Sequence, residues 1–294
     1  SWSMADSLLD LFADVQPLPQ DDGPAPVVRI AYSPDFVAVM DIFRRILQTG
    51  EHSERTLRLS QQVIEHNAAN YTAWQYRRRC ISALCETSQE EVRLAKWQKE
   101  LAYTMTMCLR NPKNYQVWYH RRCCIEQLHD ASGELEFIAE ALVDDPKNYH
   151  AWGHRQWVLK TFGLWGDELE YVDVLLQQDV RNNSAWNQRY FVLSTTGDIH
   201  NRELIEREVA YAVSYLEQAP SNQSPWNYIR GLIEPFGYLG FPQVHELCDK
   251  YVRNSDEAGE GDCRPAQANA LALLVELAQA GGEQRDLQRA SELC

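Results

Sequence analysis

The sequence lacks the long apolar runs of a membrane protein; no stretch approaches the roughly 18 consecutive apolar residues of a crossing helix. It also lacks a basic segment followed by an apolar one at its N-terminus, the layout of a secretory signal, so a cytoplasmic location is expected. Its eight cysteines include no Cys-x-x-Cys pair and are too sparse among 294 residues for a disulfide scaffold; reduced, packed thiols are expected. Positive charge is scarce. With 28 Lys and Arg against 42 Asp and Glu, the net charge of -14 argues against nucleic acid or an anionic membrane over the whole surface, while leaving room for a local basic pocket. Strand signals are nearly absent too, since no apolar-polar alternation is sustained between Asn-Gly or Asp-Gly turns.

What is present is material for a core: 45% of the residues are hydrophobic and 11% aromatic, which excludes global disorder. Length alone suggests about two domains. An internal repeat replaces that expectation. Five segments align without gaps, each opening on Asn, with Trp four residues on: Asn70 with Trp74, Asn114 with Trp118, Asn148 with Trp152, Asn182 with Trp186, and Asn222 with Trp226. In the first four an Arg follows at the seventh position, as Arg77, Arg121, Arg155 and Arg189; the fifth has Ile229 there. The asparagines are 44, 34, 34 and 40 residues apart, and 34 is the length of a helical hairpin with its turns.

The residues between them are helical in period. Leu135, Ile138, Ala139 and Leu142 fall on one face, as do Leu169, Val172 and Leu176 one unit later. Ser88 with Glu91 and Asp167 with Glu170 have the spacing of capping boxes, and each repeated Asn is placed to cap a second helix. The wider first spacing is expected to hold a longer helix over Gln89 to Leu109. The fold class is all-α, a right-handed α-α superhelix of tetratricopeptide-like hairpins. Residues 1–30, acidic and Pro-rich, are expected as a mobile arm, with Ser1 to Ser3 read as a cloning remnant ahead of Met4. Residues 31–294 are expected as a single solenoid, with the five repeats at about 54–240, a linker over Asn254 to Arg264, a capping helix from Ala266 to Leu277, and a last short helix beyond Gly281 and Gly282.

The recurrent tryptophans read as core, and the four arginines as inter-repeat partners of buried carboxylates. His150 and His154 stand four apart on one helix, but no third ligand completes a site, so no metal is expected on this chain. Lys113 and Lys147 each precede a capping Asn, where a helix N-terminus with free N–H donors adds to the ammonium and suits phosphate. A solvated turn lysine is the other reading. Tyr115, Gln116, Tyr149 and His150 follow these lysines with hydroxyl, amide and imidazole groups, a lining for a polar ligand or ordinary helix-start chemistry.

The strings Pro112 to Trp118, Lys147 to Trp157 and Asp179 to Tyr190 resemble the α-subunit repeats of protein prenyltransferases, those of farnesyltransferase and geranylgeranyltransferase type I. The likeness runs from about Tyr32 to Phe241 and fades beyond it. It implies a crescent of hairpins around a β subunit that carries the catalytic zinc, with magnesium, if used, accompanying the diphosphate. It implies transfer of a farnesyl or geranylgeranyl group to the Cys of a C-terminal CaaX motif, in substrates such as small GTPases. By motif position, Lys113 matches the lysine on the prenyl diphosphate, Gln116 the residue on the CaaX carboxylate, and Tyr71 one lining the pocket for the last CaaX side chain. Tyr115 and His150 match residues near the diphosphate. The alternatives are a noncatalytic helical-repeat scaffold and the α subunit of Rab geranylgeranyltransferase; the tetratricopeptide landmarks themselves are not matched.

Overall fold

A computed structural model describes residues 10–28, 30–238, 240–253 and 264–281. Every α-helix and 3-10 turn in it comes from the hairpin pattern or its flanks, and no strand occurs among the described residues. The chain divides into two compact units, Ser1–Phe162 and Gly163–Cys294, and the division falls between the third and fourth repeats.

The first unit holds α1 (Pro34–Thr49), α2 (Glu54–His66), α3 (Tyr71–Cys85), α4 (Glu90–Arg110), α5 (Tyr115–Leu128), α6 (Glu134–Asp144) and α7 (Tyr149–Phe162). Helix α1 ends at Gly50, whose φ of 69° is the left-handed conformation that glycine adopts without penalty, and its amide returns to the Ile46 carbonyl. A capping box opens α2, where Ser53 and Thr56 exchange side-chain and backbone bonds. The expected boxes are not used: α4 starts after Gln89, with Ser88 bonded back to the Leu84 carbonyl, and Asp167 stands at an N-cap without a side-chain bond. The long helix of the widest repeat is α4, 21 residues.

Part of the arm expected to be mobile, residues 10–18, is anchored. Phe12 is buried, and Arg55 lies over its ring at 4.9 Å while donating to the Leu11 carbonyl and the Asp14 carboxylate. Arg45 and Arg44 reach the Gln16 and Leu18 carbonyls, each at 2.9 Å, and the Leu18 amide donates to the Asp41 carbonyl. Composition missed this because the partners belong to α1 and α2, far along the chain.

The second unit holds α8 (Glu168–Gln178), α9 (Asn183–Thr196), α10 (Arg202–Gln218), α11 (Gln223–Ile233), α12 (Pro242–Arg253) and α13 (Arg264–Gly281). One apolar cluster joins Val172, Trp186, Val209, Trp226, Leu247 and Leu273. The expected capping helix is α13, longer at both ends than its apolar stripe suggested. The linker before it, except Arg264, and the expected last helix lie outside the described residues, as do Ser1 to Ser3.

All five repeated tryptophans are buried, which stabilises by about 1.5–3 kcal/mol for each large side chain. Each also has a polar duty. The indole N–H donates to the carbonyl six residues earlier, of Ala68, Pro112, Pro146, Val180 or Pro220, at 2.8–3.0 Å. That bond closes the turn over the tryptophan's own ring. The capping asparagines complete it, with side-chain oxygens on the first free amides of each second helix.

The arginines find carboxylates, as burial requires. Arg77 forks onto Glu100 at 2.6 and 2.7 Å, Arg121 onto Glu134 at 2.7 Å twice, and Arg189 onto Glu208 at 2.6 and 2.7 Å. Each pair spans two repeats, from a second helix to the next first helix. A third group completes each: His120 on Glu100, His154 on Glu134 and Tyr228 on Glu208, at 2.6–2.7 Å, and Gln188 meets Glu168 in the same way. Arg78 approaches His120 Nδ1 at 3.3 Å; a guanidinium only donates, so Nδ1 accepts and Nε2 carries the proton that Glu100 receives. His120 is therefore neutral and Glu100 ionised.

Burial pushes Glu100 up, but the His120 bond and the Arg77 charge outweigh it and hold the carboxyl at about 2; burial holds His120 below the usual imidazole value of 6.5. Both folded-state values lie below the unfolded ones, so the unfolded chain takes up protons first as the pH falls. Stability is expected to decline from pH 6.5 downwards through 4.5 towards 2, which urea unfolding across pH measures. His120→Gln, copying Gln188, is expected to remove the upper part of that decline. Glu100→Gln leaves Arg77 buried without a counter-charge and is expected to cost about 3–5 kcal/mol; a loss below about 1 kcal/mol would contradict the pairing.

Candidate functional site

Six residues singled out in the sequence, Tyr71, Lys113, Tyr115, Gln116, Tyr149 and His150, all lie in the first unit, at the starts of its second helices. Tyr71, Tyr115 and Tyr149 are the first residues of α3, α5 and α7, and all three rings are largely exposed. The repeat thus places an exposed tyrosine at each of three successive helix starts, three residues before the buried tryptophan. That leaves an aromatic rim along one end of the helices.

Lys113 is held by its backbone rather than its side chain. The Pro112 carbonyl accepts from Trp118 Nε1 at 2.8 Å and from Asn148 Nδ2 at 3.0 Å, so the turn carrying Lys113 is pinned from its own helix and from the next repeat. Asn148 is buried, and its Oδ1 accepts the His150 and Ala151 amides at 2.9 and 3.1 Å. The same side chain thus fixes Lys113's turn and the start of α7. The Lys113 ammonium stands free in solvent, with Asp145 Oδ2 at 3.5 Å.

His150 stands beside it. Its ring meets Tyr115 edge-on with centroids 4.2 Å apart, and Tyr149 at 5.6 Å, also edge-on. Burial among these rings holds the imidazole below 6.5, against the raising effect of a hydrogen bond to the Lys113 backbone. Lys113, Tyr115, Tyr149 and His150 therefore form one group, with Gln116 next to Tyr115 along α5. Tyr71 is one repeat away and shares no hydrogen bond or ring contact with them among the described residues. Between the two lies a cavity of about 530 Å³ at the ends of α2 and α4, lined by Glu65, His66, Asn67, Arg110, Asn111 and Asn114.

One expectation is corrected here. Two of the donors expected to be free at each helix start are taken, because Asn114 Oδ1 accepts the Gln116 and Val117 amides at 2.9 and 3.4 Å and Asn148 Oδ1 accepts two in α7. No group of three or more His, Cys, Asp or Glu that could hold a metal exists among the described residues. The spaced histidines diverge, since His154 is buried on Glu134 while His150 faces the rim. No helix among the described residues is long and apolar enough to cross a membrane.

The sequence reading missed Glu100, Glu134 and Glu208 and their third partners. A signal was there: the residue two after each tryptophan, Tyr76, His120, His154, Gln188 or Tyr228, carries a side-chain donor in every repeat. Asp145 and the bridging bond of Asn148 had no signal, because both depend on which turn lies next door.

Tandem helical hairpins with a polar, lysine-bearing rim at their helix starts define a helical-repeat protein. The family description "Protein prenyltransferase alpha subunit repeat" matches residues 53–84, 97–128, 131–162, 165–196 and 205–235, more than half of the chain. The farnesyltransferase/geranylgeranyltransferase type-1 subunit alpha of Dictyostelium discoideum is 45% identical over 225 residues, 76% of this chain and 69% of that protein. The tomato (Solanum lycopersicum) protein of the same name is 50% identical over 82 residues, 28% of this chain; that match spans about a quarter (24%) of the tomato protein's length. Among solved structures, a chain of Candida albicans protein geranylgeranyltransferase-I complexed with GGPP superimposes with a TM-score of 0.82 at 27% identity, covering 96% of this chain and 91% of that one. This chain belongs to the protein prenyltransferase alpha subunit family.

The environment of His150 generates its own test. NMR titration is expected to find its imidazole neutral at pH 7 and protonating below 6.5, and Tyr115→Ala, which opens the ring to water, is expected to move it back towards that value.

Proposed function

We propose that this chain is the α subunit of a heterodimeric, cytoplasmic CaaX protein prenyltransferase. The enzyme transfers a farnesyl or geranylgeranyl group from its diphosphate to the thiol of a C-terminal CaaX cysteine. The names of the Dictyostelium and tomato relatives and of the Candida complex support this reading. The observation that carries it is the Lys113 ammonium, exposed on a turn pinned from two repeats and next to the polar edge of His150 and Tyr115.

In the transfer, a C–S bond forms at C1 of the isoprenoid as the C–O bond to the diphosphate breaks, and the electron pair leaves with pyrophosphate. The β subunit is proposed to hold zinc, which when bound supplies the substrate sulfur as thiolate; this chain contributes no ligand set for it among the described residues. Lys113 faces the charge that grows on the departing oxygens, and an ammonium already in place stabilises that charge more in the transition state than in the ground state. His150, neutral, and the Tyr115 hydroxyl offer uncharged hydrogen bonds to the same group. Gln116, half-buried at the second position of α5, offers its amide to the CaaX carboxylate, and Tyr71 lines the pocket of the last side chain. Magnesium would travel with the diphosphate.

The test uses the chain assembled with its β subunit. Lys113→Ala is expected to lower single-turnover prenyl transfer by about 10- to 1,000-fold with the heterodimer intact, and unchanged kinetics would remove Lys113 from the mechanism. Gln116→Ala is expected to raise KM for a CaaX peptide without a comparable effect on prenyl diphosphate; equal peptide affinity would refute the carboxylate role.

A further inference from the structure

The approach to each second helix is built alike in all five repeats. The residue three before the capping asparagine, Asn67, Asn111, Asp145, Asp179 or Ala219, accepts that asparagine's amide on its backbone carbonyl at 2.9–3.0 Å. Asn, Asp and Ala all serve, so the turn needs no carboxylate. Asn67 and Asp179 fold a side-chain oxygen back onto the amide two residues on, at 3.0 and 2.9 Å. Asp145 points its carboxylate elsewhere, to the Lys113 ammonium of the preceding turn at 3.5 Å. The lysine side chain is 79% exposed and the aspartate side chain 33%, so the pair sits at the rim and leaves the ammonium open to a ligand on its other side.

A carboxylate beside a cation that receives a polyanion opposes binding in two ways. It must give up the ammonium, and it repels the incoming charge. An enzyme gains nothing from tight ground-state or product binding, because only interactions that strengthen in the transition state accelerate the step. We propose that Asp145 is a positioning residue acting through Lys113: it holds the ammonium against the α6–α7 turn and competes with the diphosphate for it, so that pyrophosphate is bound weakly and released. This rests on the reading of Lys113 as the diphosphate contact. The pair is exposed, so its effect is modest.

The experiment uses the assembled heterodimer and inorganic pyrophosphate, read by calorimetry and by product inhibition. Asp145→Asn puts at this step the residue that Asn67 and Asn111 already provide at equivalent ones. It is expected to tighten pyrophosphate about 2- to 5-fold and leave KM for the CaaX peptide unchanged, while Asp145→Glu keeps the wild-type affinity. A damaged fold would weaken binding, not tighten it. With Lys113→Ala already present, Asp145→Asn is expected to change the affinity by less than about 1.5-fold, the remaining through-space effect being weakened by the high dielectric of the solvent at this exposed site. Unchanged or weaker pyrophosphate binding in Asp145→Asn overturns the proposal. So does equal tightening without Lys113, which would mean direct repulsion. A wild-type heterodimer that transfers no prenyl group would instead sink the assignment of the site, a separate result from either.

Discussion

A buried guanidinium with its carboxylate is the interaction on which the rest of this structure depends. Removing an arginine from water is costly, and the cost is offset only when a carboxylate takes both ends of its fork and other groups satisfy what is left. Arg77 with Glu100, Arg121 with Glu134 and Arg189 with Glu208 meet that condition because the carboxylate comes from the next repeat. A hairpin slipped by one residue would strand a charge in the interior. The pairs therefore set the register between neighbours as well as holding them together, and the His, Gln or Tyr on each carboxylate makes the register narrower still.

The ends of the ladder follow the same logic. Glu100, Glu134, Glu168 and Glu208 stand fourteen residues before their capping asparagines, and the first repeat has Thr56 at that position. No repeated arginine precedes it, so a carboxylate would be unpaired; Thr56 instead sits buried beside the Cys80 sulfur at 3.4 Å. The last repeat has Ile229 in place of arginine, buried in one apolar cluster with Leu247 and Cys248. A departure from the repeat at each end is thus what the charge balance demands.

The site grows from this frame. Once the ladder fixes neighbouring hairpins, the turn of one repeat lies against the helix start of the next, and Asn148 joins them through the Pro112 carbonyl. Lys113, Asp145, His150 and Tyr115 meet at that junction. The chain's net charge of -14 does not describe this place, where an ammonium and one carboxylate stand beside neutral polar groups.

The periodicity of Asn, Trp and Arg was enough to establish the all-α class, the hairpins and their turns, and the burial of every repeated tryptophan, because each of those is a property of one repeat and its local helix geometry. The motif strings carried the family, and with it the candidate roles of Tyr71, Lys113, Tyr115, Gln116 and His150. The sequence also contained the third partners of the ladder, two residues after each tryptophan, but nothing in one helix says that His120 and Glu100, twenty residues apart, will meet. The anchoring of residues 10–18 and the contact of Asp145 with Lys113 were decided by tertiary structure alone. Each is a bond between groups distant along the chain, and which of several chemically equal partners such a group takes is settled only when packing brings one of them within reach.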